Sequence, residues 1–98
     1  HRRVAEASSS KELRSLRSEL ADRYGKPPAA VLRLLRLAEL RVAAAAKHIG
    51  RIETRDNKIF IYRRRERAPL LTGNRLPKLR GKNADTKLTS IFTALKNF

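Results

Sequence analysis

Two carboxylates three residues apart, Glu19 and Asp22, are the residues of this chain best suited to specific chemistry. On a helix, residues at this spacing lie on one face. In a chain whose net charge is +15, the pair forms a local negative spot. Its chemistry is recognition: charge-assisted bonds to the arginine side chains of a partner. The plainer alternative pairs Glu19 with Arg23 at i+4 and leaves both solvated, an interaction of about 0.3–0.5 kcal/mol. Catalysis finds no comparable set. His1 and His48 are the only imidazoles, and no two share a ligand spacing, so no metal site is expected. The chain has no cysteine, so it has no disulfide framework, thiolate nucleophile or thiolate zinc cluster. Gly73 and Gly81-Lys82 superficially suggest a phosphate loop. Seven residues separate the two glycines and Asn83 follows the lysine, whereas the loop requires four residues there and Ser or Thr after the Lys. Gly81-Lys82 is read as a turn leading into a helix cap. No cofactor and no catalytic residue is expected.

The second candidate is cationic. Between Arg51 and Lys82 there are eleven basic and three acidic residues. Arg63, Arg64, Arg65, Arg67, Arg75, Lys78, Arg80 and Lys82 form the candidate nucleic-acid surface. Clustered Lys and Arg bind duplex DNA at low salt through counterion release, whatever the biological task. Charge therefore indicates adhesion rather than sequence reading. A solvated surface and contact with duplex DNA, or with acidic patches of a large assembly, remain the alternatives. Reading of individual bases is not expected, since Tyr62 is the only aromatic residue adjoining these eight in the chain.

The elements that must position these groups follow from spacing. Ser9-x-x-Glu12 has the form of a capping box, and Leu13, Leu16, Leu20 and Tyr24 continue at helical spacing. A helix over about Lys11–Tyr24 is predicted, with Tyr24 completing the apolar stripe and Glu12, Glu19 and Asp22 turned outward. Gly25 supplies the left-handed stop, and Pro28 the preset φ of the next first turn. That second helix, Pro28 to Ile49 with Gly50 as its end, carries a stripe of Val31, Leu34, Leu35, Ala38, Val42, Ala45 and Ile49. A further strip of Leu37, Leu40 and Ala44 is either covered internally by the C-terminal helix or offered to a partner. Arg51–Arg55 and Lys58–Arg63 around Asp56-Asn57 predict a β-hairpin whose second strand, apolar on both faces, is covered on both sides over at least part of its length. The Pro- and Gly-punctuated segment 68–82 should pack by its leucines and add a short third strand. Asn83 then caps a last helix buried through Leu88, Ile91, Phe92, Leu95 and Phe98.

The fold class is thus α+β: a helical pair plus a C-terminal helix packed with a small antiparallel β-hairpin or sheet. The 98 residues are expected to form one domain. A first residue of His rather than Met suggests a fragment or a processed chain. No leader is evident, no apolar run reaches the ~20 residues of a membrane span, and a cytoplasmic monomer without membrane contacts is expected.

Arg2-Arg3-Val4-Ala5-Glu6-Ala7, Glu19-Leu20-Ala21-Asp22-Arg23-Tyr24-Gly25-Lys26-Pro27-Pro28, Val31–Arg41 and His48-Ile49-Gly50 stand in this order. Together they resemble the C-terminal domain of bacterial transcription-repair coupling factors. The resemblance spans about residues 2–52, thins through the basic middle, and returns weakly at Leu76-Pro77-Lys78-Leu79 and the last helix. It implies a non-catalytic regulatory domain of an ATP-driven DNA translocase, whose motors lie elsewhere. It further implies docking on the UvrB-like module of the same parent chain, which masks the surface that recruits UvrA after encounter with stalled RNA polymerase. On this resemblance Glu19 and Asp22 match the acidic pair at that contact. The charge of the 63–82 stretch departs from the family pattern.

Overall fold

The computed structural model describes residues 2–98. Among these are four helices and one two-stranded antiparallel sheet: α1 (Arg2–Glu6), α2 (Ser10–Tyr24), α3 (Ala29–Ala46), β1 (Ile49–Arg55), β2 (Lys58–Arg63) and α4 (Ala84–Leu95). The architecture is α+β. The chain divides into two compact units, residues 1–43 and 44–98.

In the first unit the apolar spacing of three helices converges on one core. Val4 and Ala7 from the α1 region, Leu13 and Leu16 from α2, and Leu35, Ala38 and Val42 from α3 are buried together. Arg41 donates a hydrogen bond to the Val4 carbonyl at 3.1 Å, tying α1 to α3. Ser9 caps α2 by accepting from the Glu12 amide at 3.1 Å. The reciprocal half of the box differs from expectation. The Glu12 carboxylate accepts from the hydroxyls of Ser8, at 3.0 Å, and Ser9, at 3.5 Å. Gly25 closes α2 at φ 73°, its amide donating to the Ala21 carbonyl at 2.9 Å.

Three expectations for the helices are corrected. Pro28 stands just before α3, and its carbonyl accepts from the amides of Val31 and Leu32 at 3.0 and 3.1 Å. The helix ends at Ala46, not Ile49, because His48 takes the left-handed turn conformation at φ 61° and Ile49-Gly50 already belong to β1. The stripes shift accordingly. Leu35, Ala38, Val42 and Ala44 are buried, whereas Leu34 and Leu37 are 45% and 48% exposed and Ala45 is exposed.

In the second unit the hairpin forms as its sequence demands. Asp56 and Asn57 have φ of 52° and 60°, the positive pair that a two-residue turn matched to strand twist requires. Ile52 faces Ile61 and Thr54 faces Ile59 across the ladder. Ile59 and Ile61 are fully buried. The far edge of β2 is also bonded: the Ile59 amide donates to Pro77 at 2.9 Å, Leu79 donates to Asn57 at 2.8 Å, and Leu70 donates to Ile61 at 2.7 Å. Lys58 and Lys78 thereby form an isolated antiparallel bridge; the short third strand expected of this segment is reduced to this single bridge, because the Pro77 carbonyl and the Leu79 amide bond the edge only around Lys78. Helix α4 packs against β2 and buries Leu88, Ala94 and Leu95, with Ile91, Phe92 and Phe98 half-buried. Its N-terminus is held by Asn83 and Thr86, each side chain accepting from the other's amide at 2.9 and 3.2 Å.

Two substitutions test this packing. Leu35→Ala, at a fully buried position, should lower unfolding free energy by about 2–5 kcal/mol in urea titrations. At Gly81, φ is 123° and an added Cβ would lie 2.5 Å from Thr86 Oγ1 and 2.8 Å from the Lys87 nitrogen. Gly81→Ala should therefore cost more than about 1 kcal/mol in the same titrations.

Candidate functional site

The last turns of α2 present the acidic pair. Glu19 is half-buried and Asp22 exposed. Glu19 does not pair with Arg23; its carboxylate accepts from Arg3 at 2.6 Å, a bond between α2 and α1. No side-chain bond reaches Asp22 among the described residues. The two carboxylates thus differ: one is held by an intramolecular arginine, and the other remains available.

Tyr24 is the residue that periodicity misplaces. It is 73% exposed rather than part of the core stripe. The physical reason is the helix stop one residue later, since Gly25 turns the chain away before a neighbouring element can cover the ring. Tyr24 and Leu20 stand between two open grooves. One, of about 250 Å³, is bordered by Arg3, Glu19 and Arg23; the other, of about 390 Å³, by Pro27, Pro28 and Val31. The arrangement joins a polar, carboxylate-bearing recess to an apolar one through an exposed aromatic ring.

The cationic candidates are dispersed by the fold. Arg63 turns inward and donates to the Lys47 carbonyl at 3.2 Å, which satisfies an acceptor just beyond α3. Arg64 and Arg65 occupy the turn after β2, where Arg65 has φ 67°, and Arg67 and Arg75 are exposed loop residues. Lys78 and Arg80 come together beside α4, where Ser90 fixes their backbone: Arg80 N donates to Ser90 Oγ at 2.9 Å, and Ser90 donates to the Lys78 carbonyl at 3.2 Å. Both border a groove of about 470 Å³ with Thr72, Thr86 and Asn97. Lys82 is exposed and its amide bonds to Thr86 Oγ1 at 3.1 Å.

Sequence reasoning missed a second constellation on the sheet. Arg51, Glu53 and Arg55 of β1 share a face with Tyr62, Phe60 and Lys58 of β2. The Arg51 guanidinium lies 4.1 Å from the centre of the Tyr62 ring, and that of Arg55 lies 4.0 Å from the Phe60 ring. Glu53 binds both arginines, at 3.3 and 3.7 Å. The two-residue alternation across the Asp56-Asn57 turn was the signal that could have found it. Among the described residues no cluster of three His, Cys, Asp or Glu could hold a metal ion. No described helix is long and apolar enough to cross a membrane.

Comparison with known families adds the deciding observation: residues 1–71 match the family model of the TRCF domain. The chain belongs to the TRCF domain family. The match takes in α1, the acidic end of α2, α3 and the hairpin, and it extends past residue 52, where the resemblance was expected to thin, through Arg63–Arg67. Residues 72–98 lie beyond it. No curated protein and no solved structure matches the chain. Membership places this TRCF domain in transcription-repair coupling, as a small non-catalytic part of a larger factor.

The exposure of these side chains sets a stability expectation for this TRCF domain. Glu19→Ala removes a pair whose side chains are 44% and 68% exposed, so it should cost no more than about 1 kcal/mol. Tyr24→Ala should leave stability within about 0.5 kcal/mol. Chemical denaturation of both variants checks these values.

Proposed function

We propose that this TRCF domain is a regulatory docking module that holds its parent coupling factor closed. In this reading the parent is an ATP-driven DNA translocase. The domain binds the parent's UvrB-like module and covers the surface that recruits UvrA. Engagement of stalled RNA polymerase by the motor then releases the contact. The observation that carries the reading is the exposed end of α2: Tyr24 is 73% exposed beside Glu19 and an exposed Asp22. Exposed aromatic rings beside charged groups are the usual anchors of protein contacts. Carboxylates standing out of a chain of charge +15 select an arginine-bearing partner surface.

The docking needs little intrinsic affinity. Tethering within one chain gives an effective concentration that reaches the millimolar range, so a weak contact populates the closed state and a modest competing interaction opens it. The device is a two-state element whose balance the motor biases.

An NMR titration of the domain with the isolated UvrB-like module tests the reading. Shifts should centre on Glu19, Asp22 and Tyr24. The double reversal E19R/D22R should weaken docking ~10-fold or more while the fold is retained, and Tyr24→Ala should weaken it to a similar extent. In the full-length factor, the same reversal should increase capture of UvrA. Docking unchanged by E19R/D22R removes the acidic pair from the contact, and absence of shifts at high concentration removes the contact itself.

A further inference from the structure

The second unit is strongly and unevenly cationic. Residues 44–98 hold fourteen Lys and Arg against four Asp and Glu, a net charge of +10. Its sheet carries Arg51, Arg55, Lys58 and Lys78 on one face with a single carboxylate, Glu53. The opposite face is spent on burying Ile59 and Ile61.

Two features give this face more definition than a solvated charge cluster. First, the arginines are oriented. Each guanidinium lies over an aromatic ring, and Glu53 is ion-paired with both, at 3.3 Å and 3.7 Å. The two planes are thus braced from below by Tyr62 and Phe60 and from the side by Glu53. Both arginine side chains remain 59% exposed. A guanidinium held against a ring and still exposed offers its remaining surface to a ligand, and guanidinium groups stack on unpaired bases. Second, Lys58 and Lys78 are set directly opposite each other across the bridge. Like charges in that relation repel, and an anion seated between them relieves the repulsion.

We propose that this sheet face binds single-stranded nucleic acid, with bases stacking on the Arg51 and Arg55 planes and the phosphate backbone following Lys58 and Lys78. A duplex suits the face poorly because it keeps its base planes covered. An acidic polypeptide suits it less well, because Glu53 is already ion-paired with both arginines and adds a like charge to the face. The site uses none of the residues at the acidic end of α2, so it holds or falls independently of the docking reading.

Fluorescence anisotropy with a labelled mixed-sequence DNA strand tests this. The comparison ligands are an abasic strand of equal length and the matching duplex. The wild-type chain should bind the single strand ~10-fold or more tightly than the abasic strand. R51K/R55K keeps the charge but removes the planes, and should lose most of that difference. K58A/K78A should weaken both strands alike and reduce the salt dependence. K11A/R14A removes two exposed charges from the first unit and should leave the base preference unchanged. Equal binding of the single and abasic strands by the wild-type chain overturns the proposal without recourse to any variant. Preference for the duplex, retention of the base preference in R51K/R55K, or displacement by polyglutamate as effective as by DNA overturns it equally.

Discussion

Strand β2 is the constraint on which the second unit depends. It is bonded on both edges, by β1 on one side and by Leu70 and Pro77–Leu79 on the other. Ile59 and Ile61 on one of its faces are completely removed from solvent. Because side chains alternate along a strand, burying those two residues commits Lys58, Phe60 and Tyr62 to the other face. A register slip of one residue would exchange the faces and place a lysine in the core. The positive φ of Asp56 and Asn57 opposes such a slip by setting the hairpin length. The aromatic rings under the arginines are therefore a consequence of core burial on the opposite side.

A different constraint shapes the acidic end of α2. Gly25 stops the helix immediately after Tyr24, and Pro27-Pro28 lead into α3. The junction holds the backbone through the Gly25 amide and the Pro28 carbonyl, so the side chains on the last turn are not needed for closure. They are free to serve recognition. Arg3 partly neutralises Glu19 and links α1 to the same surface. A partner arginine must share that carboxylate or displace Arg3, whereas Asp22 is exposed and, among the described residues, offers an uncontested acceptor.

Local rules made much of the fold legible. The Ser9 cap, the Gly25 stop, the Asp56-Asn57 turn and the Asn83 cap each depend on residues a few positions apart, and each appears where the sequence places it. The ordered motifs of residues 2–52 also pointed to the TRCF family, and the match over residues 1–71 agrees. Errors arose where local signals competed. Ile49 fits the helical period of α3, yet its place in the β1 ladder, with His48 in a left-handed turn, ends the helix three residues sooner. Val4 and Ala7 have helical spacing that drew no helix prediction, because five residues form a stable helix only when tertiary packing supports them.

The sequence by itself determined the element types, the helix caps and stops, the hairpin, the excess of positive charge and the family. These are set by backbone sterics, short-range hydrogen bonding and composition, which act within a few residues. Tertiary structure alone decided which charges meet. It took Glu19 from Arg23 and gave it to Arg3, sixteen positions away. It turned Arg63 onto the Lys47 carbonyl, set Lys78 opposite Lys58, and left Tyr24 in solvent. Long flexible side chains have many partners within reach at similar energy, and only the packed backbone selects among them.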